Sequence, residues 1–205
     1  VNSGTANITL KSSNGRSISV GSDAGQFRIS SDELELLTAQ NLYIGDGSTG
    51  SIIVDGISSA NSANITDTVQ LNATAEGMSV TFENAASSFN TLEVVADDQI
   101  AVEVDLSTTV GSLSLKADND GVADVNDNIL ITSGVTLTAK EDLVLEAELG
   151  DIQGGVLNLS SGNDTFIKDS LTTTALDIHA DDDLVADGAT GGVFNLIAGA
   201  TIDTG

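Results

Sequence analysis

Three stretches of this chain superimpose: LEVVADDQIAV at residues 92–102, VTLTAKEDLVL at 135–145 and LDIHADDDLVA at 176–186. Each reads as an alternating apolar strand, an alanine, a few polar residues and a second alternating strand. Strict alternation puts every other side chain on one face, so both flanks are half-buried strands and the polar residues between them are a corner. The alanines Ala96, Ala139 and Ala180 lie 43 and 41 residues apart. Half-similar segments at 113–121 and 157–166 add Ala117, Ser161 and Ala198, and the steps become 21, 22, 22, 19 and 18. Looser members surround Ala73, Ser31 and Ser12. A unit of about 20 residues, repeated about ten times, cannot bury enough aliphatic surface to fold alone, so each needs neighbours stacked on it. The expectation is one all-β unit over residues 1–205, a parallel β-helix (β-solenoid) of roughly ten rungs. Short strands at this spacing also suit tandem immunoglobulin-like β-sandwiches, although no Asn-Gly hairpin turn recurs.

The apolar residues agree with layered stacking. They make up 40% of the chain while aromatics are 3% and Trp is absent, so the core is Val, Ile, Leu and Ala in repeated layers. Pro is absent, as suits strands whose N–H groups all have ladder partners. In the second stretch Leu137, Leu143 and Leu145 are assigned to the interior, and Thr138, Val144 and Glu146 to the outside. Residues 27–57 break the pattern as an irregular or inserted rung. There Leu34, Leu36 and Leu37 follow a candidate N-cap at Ser31 or Asp32, and a single helical turn competes with an ordinary strand.

The charge excludes whole classes of partner. Against 31 Asp and Glu stand 6 Lys and Arg, a formal charge of −25. Nucleic acid and anionic lipid both require clustered cations. No run of about 18 apolar residues supplies a membrane helix, and the absence of Cys excludes disulfides and thiolate sites.

Several phrases resemble giant bacterial exoproteins of the filamentous-haemagglutinin-like type: FRISSDELELLTAQNLYIGDGSTGSIIVDGI (27–57), GSLSLKADNDG (111–121), ITSGVTLTAKEDLVLEAELGDI (131–152) and LNLSSGNDTF (157–166). The resemblance covers most of the chain and reports architecture. It implies a right-handed parallel β-helix, secretion to the extracellular surface of a Gram-negative-type bacterium, and an adhesive or fibre-forming role. The family's secretion module is not found here, and no polar cap is visible at either end. The expectation is therefore a segment of a longer chain, or a subunit that associates end to end, with a host-surface or glycan partner.

Chemistry is sparse. Asp118, Asp120, Asp124, Asn126 and Asp127 alternate around Gly121, the pattern with which one short loop wraps calcium, although the closing bidentate Glu is missing. SGNDTF at 161–166 faintly resembles glycine-aspartate calcium solenoids. The corner acids Asp97, Asp98, Glu141, Asp142, Asp181, Asp182 and Asp183 would form a repulsive ladder if all corners stacked, offset in part by Lys140. For catalysis, His179 is the only His and faces outward by alternation. No nucleophile or phosphate loop is recognisable, and the Asp97–Asp98 pair lacks the cations and aromatic platforms of β-helix lyases and hydrolases. The expected role is structural and adhesive, not enzymatic, with a polysaccharide-binding or polysaccharide-degrading β-helix as the alternative.

Overall fold

The computed structural model describes all residues except 22–24, 124, 182–191, 198 and 205. The chain opens with β1 (Ile8–Leu10), β2 (Ile18–Val20), β3 (Phe27–Ile29), α1 (Ser31–Glu35), β4 (Leu42–Gly45), β5 (Ile52–Asp55) and α2 (Ser59–Ser62). Next come β6 (Thr68–Ala73), β7 (Val80–Glu83), β8 (Ser87–Phe89), β9 (Thr91–Ala96), β10 (Ile100–Val102) and β11 (Leu106–Thr108). The middle holds β12 (Leu113–Lys116), β13 (Asn128–Ile131), β14 (Thr136–Ala139), β15 (Leu143–Glu146) and β16 (Asp151–Gly154). The last are β17 (Val156–Ser161), β18 (Thr165–Ile167), β19 (Leu171–Thr172), β20 (Ala175–Ala180), β21 (Phe194–Leu196) and β22 (Ile202–Asp203).

These strands form three parallel sheets. The first orders β1-β4-β6-β9-β12-β15-β18-β21, the second β3-β2-β5-β7-β10-β13-β16-β19-β22, and the third β8-β11-β14-β17-β20. From β6 to β20 the chain visits first, second and third sheet in turn, each pass adding one strand to each, and β21 and β22 extend the first and second. Sandwiches are excluded, because they need antiparallel hairpins and every described strand pair is parallel. The first sheet has eight strands, so the passes number about eight rather than ten.

Register explains the overcount. Leu92 pairs with Leu113 after 21 residues, but Leu113 meets Leu143 only after 30, and the excess lies in the loop 118–127. Ala96 and Ala117 end strands of the first sheet, or follow them directly, whereas Ala139, Ser161 and Ala180 form one column of the third. The sequence markers therefore change face at that loop, whose added length is close to one face of a pass. The period survives the change and the phase does not.

Columns of identical chemistry fill the interior. Leu42, Val69, Leu92, Leu113 and Leu143 stack in the first sheet, and Ile18, Ile52, Val80, Ile100, Ile129 and Ile152 in the second, all essentially without exposure. Leu137, Leu143 and Leu145 are buried while Thr138, Val144 and Glu146 are half-exposed, as alternation requires.

The first two passes differ on the third face. Helix α1 packs on α2, and α2 packs against β8, so helical turns stand where later passes place strands. The N-cap of α1 is Ser30, one residue earlier than expected. Its side chain accepts from the Glu33 N–H at 3.2 Å, and Glu33 Oε2 accepts from the Ser30 N–H at 3.0 Å. Glu33 is the only acid three residues beyond a serine with non-helical backbone here, which selects this cap. Those bonds, the backbone one first, hold the Glu33 carboxyl below its ordinary range.

Candidate functional site: the acidic corners

Where a pass turns, the backbone N–H groups point toward the neighbouring pass but lose the straight-strand carbonyl partner. Side-chain oxygens replace it. Asp105 Oδ1 accepts from the Thr136 N–H at 2.8 Å, Asp142 Oδ1 from the Asp164 N–H at 3.3 Å, and Asp164 Oδ1 from the Val193 N–H at 2.8 Å. At the turn from first to second sheet, Asp97 Oδ2 takes the Gly77 N–H, Asp118 Oδ2 the Leu149 N–H and Asp169 Oδ2 the Ala147 N–H, each at 2.7 Å. Such bonds to an ionised acceptor are worth roughly 1.5–3 kcal/mol where buried. Part of the acidic excess is thus structural: carboxylates are the corner acceptors.

This sorts the expected ladder of like charges. Asp97 and Asp98 belong to the turn from first to second sheet, while Glu141, Asp142 and Asp181 belong to the turn from third to first. They do not stack as one series, and Asp182 and Asp183 lie outside the described residues. Residues 161–166 also form a corner: Ser161 and Thr165 are buried with their hydroxyl oxygens 2.9 Å apart. Nearby, burial acts to raise the Glu146 carboxyl, but Lys168 Nζ at 2.7 Å and Lys116 Nζ at 3.5 Å outweigh it and hold it low.

Asp169 goes the other way. Burial, with a smaller contribution from Glu146, pushes its carboxyl above the ordinary value despite the Ala147 N–H. An acid raised in the fold favours folding in its protonated form, so it subtracts stability at neutral pH and the deficit disappears as pH falls below its unfolded value. Asp169→Asn keeps an acceptor oxygen and removes the charge. It is expected to raise the melting temperature by about 2 °C at pH 7, with the advantage vanishing near pH 3; a variant less stable than the parent at pH 7 would contradict this account.

The residues of the expected calcium loop differ in exposure and in hydrogen bonding. Asp118 is fully buried with a left-handed backbone (φ 51°); its Oδ2 is committed to Leu149, and its Oδ1 has no hydrogen-bond partner. Asp120 is exposed and its Oδ1 accepts from the Val122 N–H at 2.8 Å, Asn126 is exposed, and Asp127 is buried. Asp124 lies outside the described residues. Among the described residues, the carboxylates whose oxygens fall within 4.8 Å of one another are instead Glu76, Asp97 and Asp120. Oxygens in that arrangement are hard-cation ligands by type. Sequence reasoning placed Asp97 among the corner acids but did not join it to Asp120, and it missed Glu76; Asp97 precedes the loop by one pass and Glu76 by two, and only the stacking brings them to Asp120.

Gly150 anchors the loop. A Cβ there would overlap the Asp127 carbonyl oxygen, so the loop's return lies directly on the glycine. Gly150→Ala is expected to cost about 3 kcal/mol by overpacking and to increase amide exchange in residues 118–128. Unchanged exchange would show that the loop does not depend on this contact.

His179 faces outward, as alternation indicated. Its Nε2 lies 3.1 Å from Asp177 Oδ1, with the two side chains 60% and 67% exposed. The pair lines an open groove on the third sheet with Thr136, Asn158 and Ser160. No wall of the groove excludes water from it. No family model, curated protein or solved structure matches the chain.

Proposed function

We propose that this chain is a right-handed, three-faced β-solenoid that serves as a rigid acidic segment of an extracellular adhesin or filament, without catalysis. The carrying observation is the cyclic order of the three parallel sheets, in which each pass from β6 to β20 adds one strand to each sheet. A right-handed crossover is the usual hand for parallel connections. Eight passes at the inter-strand spacing make a rod about 40 Å long. The surplus carboxylates fit a surface held in water and repelled from anionic polymers. Among the described residues no helix is long and apolar enough to cross a membrane. The resemblance of residues 27–57 and 131–152 to haemagglutinin-like exoproteins supports the extracellular assignment.

Small-angle scattering on the 205-residue chain, followed by electron microscopy of any fibres, tests the reading. An elongated particle with one constant cross-section, or a fibre repeat near 4.8 Å along its axis, supports it. A compact, equiaxial particle contradicts it. The polar groove of Thr136, Asn158, Ser160, Asp177 and His179 favours glycan binding as the second reading. A glycan screen that Asp177→Ala silences would support binding, and cleavage of a bound glycan would overturn the non-enzymatic assignment.

A further inference from the structure

We propose that the loop between β12 and β13, with the corner that follows β15, is a docking surface for a basic amphipathic segment of a partner protein. The proposal rests on the adhesive reading above and deepens it, naming a contact surface and the chemistry of its partner.

Length sets this loop apart. The turn from first to second sheet takes residues 97–99, 147–150 and 168–170 in three other passes, so three or four residues suffice for it. Between β12 and β13 it takes residues 117–127, eleven of them. The loop lies within the stack, with passes on both sides of it. Its outgoing limb runs along the next corner. The Leu149 N–H donates to Asp118 Oδ2 at 2.7 Å, and a Cβ on Gly121 would sit 3.7 Å from Glu148 Cγ. Its return rests on Gly150.

This unit carries apolar side chains into water. Val122 is 56% exposed, Val125 94% and Leu149 61%, and no large apolar side chain among the described residues is more exposed than Val125. Apolar side chains scattered singly over a surface are ordinary, whereas grouped ones mark contact sites. A loop held on a rigid scaffold is the usual place for binding.

Charge specifies the occupant. Asp120, Glu148 and Asp151 are exposed and flank these side chains in the chain, and a carboxylate oxygen of Glu76 lies within 4.8 Å of one on Asp120. Asp97, Asp118 and Asp127 add buried acids to the same turn, and Asp98 and Asp169 half-buried ones. The cations here are Lys116, 3.5 Å from Glu146 and 3.9 Å from Glu148, and Lys168, 2.7 Å from Glu146. Two lysines offset two of these acids and leave the surround acidic. An apolar centre with an acidic surround fits Leu, Ile or Val flanked by Lys or Arg. A second copy would bring the same acids against them, and like charges reject that pairing.

Fluorescence anisotropy of labelled leucine–lysine peptides, one set helical and one extended, reads the contact on the 205-residue chain. The parent is expected to bind one peptide per chain, with affinity falling about tenfold between 50 and 500 mM NaCl. Val122→Ser with Val125→Ser and Leu149→Ser leaves every charge in place and is expected to weaken binding about tenfold. Asp120→Asn with Glu148→Gln is expected to weaken it and to flatten its salt dependence. Glu35→Gln with Asp67→Asn removes the same charge from earlier passes and is expected to change neither. Circular dichroism checks that each variant keeps its β-signal. Equal losses from the two charge pairs, or none from the serine variant, would reduce the binding to general attraction for a polyanion and overturn the site. Self-association of the parent that the serine variant abolishes would make the occupant a second copy. Phosphatidylcholine vesicles bound through the same three side chains would make it a bilayer; either result overturns the partner named here. A chain that scatters as a rod and binds no peptide would lose the docking surface and keep the solenoid reading, whereas a compact particle would remove that reading as well.

Discussion

Phe82→Ala is expected to cost about 3–5 kcal/mol and to divide the melting transition in two. Phe82 has no exposure and lies in the second sheet between Val54 and Val102, which are equally buried. It is among the largest side chains in an interior otherwise built from aliphatics, so its removal leaves a cavity that short branched neighbours do not collapse into. In a stacked architecture each pass contacts only its neighbours, and stability is a sum of pass and interface contributions. A defect at β7 therefore uncouples the passes before it from those after it. Calorimetry that shows one sharp transition, shifted down as a whole, would mean that the molecule melts as a single cooperative unit despite its layered contacts.

The second large effect is a pair of opposite sign at Asp118. Asp118→Asn is expected to stabilise by about 1–3 kcal/mol at pH 7, and Asp118→Ala to destabilise by a similar amount. The carboxylate is fully buried, one oxygen accepts from Leu149 and the other has no hydrogen-bond partner. Asparagine keeps the acceptor for Leu149, tolerates the left-handed backbone and removes an incompletely compensated buried charge. Alanine leaves the Leu149 N–H unsatisfied and is strained at φ 51°. Urea denaturation of both variants, with chelator and then with calcium, provides the check. An asparagine variant less stable than the parent even with chelator would refute the account. A loss that appears only with calcium would instead assign the second oxygen to a cation.

The acid side of the stability curve follows from the corners. Asp46 is held well below the ordinary carboxylate range, first by the Ser48 hydroxyl at 2.7 Å, then by the Ser48 N–H at 2.9 Å and Lys11 Nζ at 3.0 Å. An acid lowered in the fold adds stability that is fully present above its unfolded value, near pH 4, and is lost as pH falls through the folded value. Asp169 contributes with the opposite sign, so the two corners respond oppositely to acid.

Alternation in the sequence determined the strands and the period. Leu137, Leu143 and Leu145 are interior because a pleated strand sends every second side chain inward, and no longer-range information is needed for that. The aliphatic composition likewise determined a layered all-β core. Ser30 was one residue from the expected cap, because several polar residues precede α1 and the backbone angle that selects among them is not written locally. Phase and neighbourhood were decided by the tertiary structure. The loop 118–127 adds nearly one face of a pass, so a repeat matched by residue type continues across it while the true register slips to another sheet. For the same reason the sequence does not show that Asp120 meets Glu76 and Asp97: residues one or two passes apart become neighbours only through stacking. An isolated Asp reads as solvated surface or metal ligand, and only the N–H presented by the adjacent pass makes Asp97, Asp118 and Asp169 corner acceptors.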